Sequence, residues 1–284
     1  LDSLVLASKK ILSHTVEILA VNDGSTDLTG QLLNERMDVR VITHERNRGY
    51  GASLHTGIRE SKTEWIALID SDGTYPVDQL NLLLSEAAQG CDMVVGARKG
   101  IGIIAAPHRR LARWILRRIV WALTGVMVPD LNSGMRVFRR SLFEEFQHLL
   151  PLGFSFTTTL TVASLYCGFK VKYVEIDYHA RKGSSHIRPV HDFLAFVMLI
   201  IRLASYFEPL RFFLPVSFAL LFVGILRGVR DAYLFNAFGG ISVILMMAAL
   251  QVFLTGIIAD VLVRRTRFGS VPAASLKDRM GSVS

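Results

Sequence analysis

A chain of 284 residues, 51% hydrophobic and only 20% charged, is too long for a peptide hormone or a disulfide miniprotein and too apolar for disorder. Its 32 Lys and Arg against 24 Asp and Glu give a formal charge of +8, which favours anionic partners such as nucleic acid, phospholipid or phosphorylated substrates. Cys91 and Cys167 share no metal-ligand spacing, which argues against a disulfide scaffold or a zinc site and fits a reducing compartment.

The sequence opens Leu1-Asp2-Ser3, without a methionine or a signal-peptide layout, and reads as a fragment. Residues 1–190 repeatedly pair a short apolar run with a polar turn and an amphipathic stretch, the rhythm of alternating strands and helices. Residues 16–21 predict a strand ending at Asn22-Asp23-Gly24-Ser25, after which Thr26 or Asp27 caps a helix through Leu32 and Leu33. Residues 39–43 predict a second strand, and Gly49, Gly51 and Gly57 punctuate a turn and helix. A strand at 65–69 then runs into the acidic turn Asp70-Ser71-Asp72-Gly73, and residues 92–95 form a further strand. This alternation implies a mainly parallel, Rossmann-like α/β sheet that binds ligands beyond the carboxyl ends of its strands. The polar clusters 22–27, 70–73 and 96–99 all follow predicted strands and so converge on one crevice.

Beyond Asp192 charges become sparse. Residues 192–207, charged only at Asp192 and Arg202, read as a helix lying at a membrane interface, with a third span as the alternative. Residues 212–226 are uncharged, and residues 237–259 form a longer uncharged run that reaches the roughly 20 residues a spanning helix needs. A short turn at 227–236 holds Arg227, Arg230 and Asp231 and makes the two runs a hairpin; two core helices are the bland alternative. Arg202 and Arg211 before the hairpin and Arg264, Arg265 and Arg267 after it place both ends in the cytoplasm by the positive-inside rule. The predicted organisation is a catalytic domain at 1–190, an interfacial helix at 191–208, a transmembrane hairpin at 209–265 and a disordered tail at 266–284.

Asp70-Ser71-Asp72 after a buried strand can hold a divalent cation that bridges diphosphate oxygens; an isolated acidic turn of this kind is also a common solvated feature. Asp23 can accept from a base imide or ribose, or serve an Asx turn or helix cap. Between Met93 and Pro129 there is no Asp or Glu, while Arg98, Lys99, Arg109, Arg110, Arg113, Arg117 and Arg118 all fall there. With Trp114, Ile115, Ile119 and Trp121, this stretch reads as a helix resting on anionic headgroups or as a solvated basic face over a packed apolar one. Arg136, Arg181 and Lys182 suit phosphate oxygens or structural salt bridges, and His179 and His186 flank the Arg181-Lys182 loop.

Six segments carry a resemblance. They are Val21-Asn22-Asp23-Gly24-Ser25-Thr26-Asp27, Asn47-Arg48-Gly49-Tyr50-Gly51-Ala52, Asp70-Ser71-Asp72-Gly73-Thr74-Tyr75-Pro76, Gly96-Ala97-Arg98, Asp130-Leu131-Asn132-Ser133-Gly134-Met135-Arg136 and Arg181-Lys182-Gly183-Ser184-Ser185. In this order they resemble the inverting family 2 glycosyltransferases, and within them the polyprenyl-phosphate (dolichyl-phosphate) sugar synthases. The resemblance implies a GT-A domain that moves one sugar from a nucleotide diphosphate sugar to polyprenyl phosphate at the cytoplasmic face, with inversion. It implies Mg2+ or Mn2+ at Asp70 and Asp72, and nucleotide-sugar contacts from Asp23, Gly24, Asn47, Gly49, Asp70, Ser71, Asp72 and Arg98. Phosphate contacts fall to Arg136, Arg181, Lys182 and Ser184, and catalysis to Asp72, Asp130 and Arg136, with positioning the safer role for Asp130. The family's first strand, ending in a Pro-x-Tyr-Asn-Glu-like segment, has no counterpart here, which implies a truncated chain or an impaired nucleotide site. Family members also place a carboxylate where this chain has Phe156-Thr157-Thr158-Thr159.

The implied partners are the nucleotide sugar, polyprenyl phosphate and membrane lipid, with homo-oligomerisation left open. Nucleic acid is not expected, because the basic residues cluster with apolar segments and lack stacking aromatics on a sheet face. Alternatives are a transferase for another lipid or polysaccharide acceptor, and a non-catalytic nucleotide-sugar binder or membrane scaffold.

Overall fold

The computed structural model describes residues 16–99, 124–153, 155–179, 209–237 and 239–270, with Val5, Trp114, Arg117, Arg118, 120–122 and Tyr206 as isolated positions and only the backbone of 264–270. The chain divides into two units, Leu1–Leu199 and Ile200–Ser284. The expected interfacial helix at 192–207, apart from Tyr206, the Arg181-Lys182-Ser184 loop and the tail beyond 270 lie outside the described residues.

In the first unit, β1 (Leu19–Asn22) pairs in parallel with β2 (Arg40–Thr43), joined through the short helix α1 (Thr29–Asn34). The N-cap is Leu28, one residue beyond the expected Thr26 or Asp27 and without a side-chain cap, while Asp27 Oδ1 accepts the Thr29 N–H at 3.0 Å in an i to i+2 turn. Helix α2 (Tyr50–Glu60) follows and packs on β1, burying Gly51, Ala52, His55 and Ile58. Then come β3 (Trp65–Leu68), a 3-10 turn at Val77–Gln79 and helix α3 (Leu80–Ala88). Leu80, Leu83 and Ala87 recur at helical spacing and are buried against Tyr75, Val94, Met135, Val137 and Ile176.

Strand β4 (Met93–Lys99) is buried along its first five residues, as an interior strand of apolar and small residues must be. The cluster 96–99 therefore lies inside β4, not after it as the sequence suggests. Strand β5 (Arg136–Arg139), helices α4 (Arg140–Phe146) and α5 (Phe156–Tyr166), and β6 (Val171–Asp177) complete this unit. The second sheet has the order β3-β5-β4-β6, with β5 antiparallel to both neighbours and β4 parallel to β6. The sheets are thus mixed instead of mainly parallel, because β5 returns the chain between β3 and β4. Among the described residues β1 pairs only with β2 and β3 only with β5, and both line one cleft of about 2070 Å³.

The second unit is a helical hairpin, α6 (Pro209–Phe235) and α7 (Gly240–Ser270). Each is long and apolar enough to cross a membrane, with an 18-residue window of mean hydropathy 2.1 inside Pro209–Phe235 and 2.4 inside Gly240–Val263. Arg227, Arg230 and Asp231 sit in the last turns of α6 and not in the connection, which shrinks to residues 236–239. Small residues bring the helices together: a Cβ on Gly256 would lie 2.8 Å from the Phe213 side chain, and one on Gly224 3.2 Å from Leu245. Ser217 Oγ donates to the Ala249 carbonyl (2.8 Å) and Ser242 Oγ to Asp231 Oδ2 (3.0 Å), while Phe218, Phe222, Ile244 and Leu250 face outward.

Candidate active site

The strand ends converge as the alternation demands. Asp23 follows β1, and Asp70, Ser71 and Asp72 follow β3; all four line the cleft, with Tyr50, Asn132, Gly134, Ser155, Thr157 and His179 around them. Both acidic turns are held by local hydrogen bonds. Ser25 N–H donates to Asn22 Oδ1 (3.1 Å), and Asp72 Oδ1 accepts from Thr74 N–H (3.2 Å) and Thr74 Oγ (2.6 Å).

Asp23 ties its turn to the next motif. Its Oδ1 accepts from His44 Nδ1 (2.7 Å) and Arg48 N–H (2.9 Å), and its Oδ2 accepts from Gly49 N–H (2.8 Å). His44 Nε2 pairs in turn with Thr56 Oγ1 at 2.9 Å. Burial opposes ionisation of Asp23, yet His44 and the two backbone donors outweigh it and hold the carboxyl below its ordinary range. Gly24 closes the same junction. Its φ is +66°, and a Cβ would fall 2.6 Å from the backbone of Arg46 and Asn47. Gly24, Asn47 and Gly49 thus fasten the loop against β1, and none of the three lines the cleft. His44, which the sequence offers only as an unremarkable histidine, belongs to this network; its place directly after β2, where its N–H donates to the Asn22 carbonyl at 2.9 Å, was not visible as a spacing.

Asp70 is bracketed from two sides. The Tyr50 hydroxyl donates to its Oδ1 at 2.9 Å. On the other side, Gly134 leaves the space that Asp70 occupies, since a Cβ there would lie 1.9 Å from Asp70 Oδ2. Gly134 N–H donates to the Tyr75 hydroxyl (2.6 Å), which fixes that approach. Burial raises the Asp70 pKa, the Tyr50 hydrogen bond opposes the rise, and the like charge of Asp72 adds to it. Tyr50 is one residue of the segment 47–52 in the sequence, and only the folded turn aims its hydroxyl at Asp70.

Three expected site residues have a different place. Arg136 is fully buried: its Nη1 donates to the Thr157 carbonyl (2.8 Å) and Thr161 Oγ1 (2.9 Å), and its Nη2 to the Ser133 carbonyl (2.5 Å). These three bonds tie the turn before β5 to the start of α5, while the buried Arg136 Nε has no hydrogen-bond partner. Asp130 and Arg98 are consumed by each other. Arg98 Nε donates to Asp130 Oδ2 (2.6 Å) and Nη2 to Oδ1 (2.9 Å), while the Arg98 guanidinium lies over the Tyr178 ring at 5.2 Å. Burial opposes the charge on Asp130, but the hydrogen bonds and positive charge of Arg98 prevail and keep its pKa low. Neither lines the cleft.

Residues 2–147 match the family model Glycosyl transferase family 2. The chain belongs to that family. Residues 208–264 match GtrB C-terminal hairpin, which coincides with α6 and α7. Dolichyl-phosphate hexose transferase of Haloferax volcanii is 28% identical over 190 residues, covering 66% of this chain and 81% of that protein. Dodecaprenyl-phosphate galacturonate synthase of Rhizobium johnstonii is 25% identical over 292 residues, covering 92% and 82%. The crystal structure of glucosyl-3-phosphoglycerate synthase from Mycobacterium tuberculosis with Mn2+, UDP and glucosyl-3-phosphoglycerate superposes at a TM-score of 0.53, covering 72% of this chain and 74% of that one. At 20% identity that likeness concerns the fold, which is GT-A-like. This family 2 glycosyltransferase thus joins a GT-A-like catalytic unit to an apolar helical hairpin.

Proposed function

We propose that this glycosyltransferase moves one sugar from a nucleotide diphosphate donor to polyprenyl phosphate at the cytoplasmic membrane face, with inversion at the anomeric carbon. The observation that carries the reading is the meeting of Asp23 with Asp70 and Asp72 on one cleft, in a chain that also bears a two-helix apolar hairpin. The Haloferax dolichyl-phosphate hexose transferase and the Rhizobium dodecaprenyl-phosphate galacturonate synthase support a polyprenyl-type acceptor.

A divalent cation, Mg2+ or Mn2+, suits the Asp70–Asp72 pair. The two carboxylates are close enough for Asp72 to raise the Asp70 pKa, a repulsion that a cation relieves. Among the described residues there is no group of three or more His, Cys, Asp or Glu that could hold a metal, and in this reading Asp70 and Asp72 would be the residues that hold the ion. When bound, such an ion neutralises charge on the departing diphosphate.

The chain's own residues then have simple tasks. Tyr50 and Gly134 hold Asp70 in place, and Asp23 receives the base or ribose with its remaining acceptor capacity while it fastens the 47–49 loop. The lipid phosphate oxygen bonds to the anomeric carbon as the bond from that carbon to the diphosphate oxygen breaks. A phosphate monoester is already anionic at neutral pH, so no general base is needed, in keeping with an Asp130 locked to Arg98. Arg181, Lys182 and Ser184 supply phosphate contacts in this reading.

The test supplies membranes containing the chain with labelled nucleotide sugars, Mg2+ or Mn2+ and polyprenyl phosphate, followed by organic extraction. One donor labels the organic phase with inverted configuration, and Asp72→Ala lowers the rate at least about a hundredfold while membrane insertion is unchanged. Label confined to the aqueous phase would reject the lipid acceptor, and full activity of Asp72→Ala would reject the role of the acidic turn.

A further inference from the structure

The His44 side chain is 5% exposed and lies behind Asp23, whose own side chain is 19% exposed. A carboxylate only accepts hydrogen bonds, so the 2.7 Å contact with Asp23 Oδ1 puts a proton on His44 Nδ1. In the neutral ring Nε2 is then an acceptor, and Thr56 Oγ1 stands 2.9 Å from it. Ser53, Thr161 and Ser164 each donate to the carbonyl four residues earlier in the chain, whereas the Thr56 hydroxyl is turned to His44. Asp23 lines the cleft, while neither His44 nor Thr56 does.

An ionised carboxylate has about four acceptor sites. At Asp23, His44 and Arg48 N–H occupy Oδ1 and Gly49 N–H occupies one site of Oδ2, so the open site is on Oδ2 and its direction is set by the other contacts. Burial pushes this carboxyl toward its neutral form, and among the groups that keep it charged the His44 hydrogen bond counts most.

We propose that His44 is a positioning residue for the nucleotide: locked by Thr56, it holds the Asp23 carboxylate turned so that the open Oδ2 site meets an N–H or O–H of the nucleoside half of the donor. The proposal rests on the nucleotide-sugar reading above. Helix α2 supplies both Thr56, which locks His44, and Tyr50, which donates to Asp70. The nucleoside end and the diphosphate end are thus held by different side chains of one helix, and loss of the His44 contact weakens the first while leaving the second intact.

Three substitutions separate the roles. His44→Asn keeps an N–H donor near the place of Nδ1, His44→Gln moves the donor out to the place of Nε2, and Thr56→Val keeps the shape but removes the lock. Binding of UDP, of GDP and of inorganic pyrophosphate, each with Mn2+, is measured by calorimetry on the full chain in detergent. For the nucleotide that the unmodified chain binds, His44→Gln weakens affinity on the order of tenfold and Thr56→Val about threefold, while His44→Asn stays within about twofold and pyrophosphate affinity is unchanged in all three. Nucleotide and pyrophosphate affinities that fall together, or an equal loss in His44→Asn and His44→Gln, overturn the proposal, because His44 then serves packing alone. Unchanged nucleotide affinity in His44→Gln overturns it as well, and leaves the nucleotide-sugar reading standing. An unmodified chain that binds neither nucleotide overturns that reading, and the proposal with it.

Discussion

Tyr50 and Asp70 show how one hydrogen bond sets the chemistry of an acidic turn. A carboxylate that is partly buried and faces another carboxylate is costly to keep ionised, and the tyrosine hydroxyl supplies a donor that favours the charged form. A hydrogen bond to a charged group is worth about 1.5–3 kcal/mol. Tyr50→Phe is therefore expected to lower transfer by roughly ten- to a hundredfold and to raise the Mn2+ concentration needed for half-maximal rate, with little change in Tm. Steady-state kinetics across a metal titration checks this; an unchanged metal dependence would leave Tyr50 without a positioning role.

At the level of elements, Arg136 joins the Ser133 turn, the first residue of β5 and the first turns of α5 through three hydrogen bonds in a fully buried setting. Burial lowers its pKa, so the protein bears a cost to keep this cation inside. Replacement by Met fills the volume, removes three hydrogen bonds and leaves the Ser133 carbonyl without its donor, while the Thr157 carbonyl keeps that of Thr161 Oγ1; the loss is on the order of 3 kcal/mol, read as a fall in Tm of about 10 °C. A phosphate ligand would behave differently, raising the donor KM while leaving Tm alone. Thermal unfolding of Arg136→Met beside its donor KM separates the two roles.

Over the whole molecule, the hairpin decides which compartment the catalytic unit faces. Basic residues flank both ends, while Arg227 and Asp231 lie 3.9 Å apart near the tip, where Asp231 also accepts from Ser242. Arg202, Arg211, Arg264, Arg265 and Arg267 in the flanks outnumber Arg227 and Arg230 near the tip, so the proposed orientation keeps the flanks and the catalytic unit on the cytoplasmic side. Ala237→Cys, in a chain carrying Cys91→Ser and Cys167→Ser, is expected to react with a membrane-impermeant maleimide in intact cells. Labelling only after permeabilisation would place the catalytic unit on the outer face.

The sequence alone determined what depends on local chemistry and periodicity: the strand and turn at Asp23, the strand and acidic turn at Asp70 and Asp72, the family, and two apolar runs long enough to pair as a hairpin. Such features are legible because strand patterning, turn residues and span length act over a few neighbouring positions. Tertiary structure decided the partners. Whether Arg98 and Arg136 meet phosphate or protein depends on groups 21 to 32 residues away, Asp130, Thr157 and Thr161, which no local spacing connects to them. The same holds for His44 beside Asp23 and Tyr50 beside Asp70, and for β5, whose antiparallel return between β3 and β4 makes the sheet mixed. A charged side chain declares its capacity in the sequence; burial and the nearest opposite dipole, set only by packing, decide how that capacity is used.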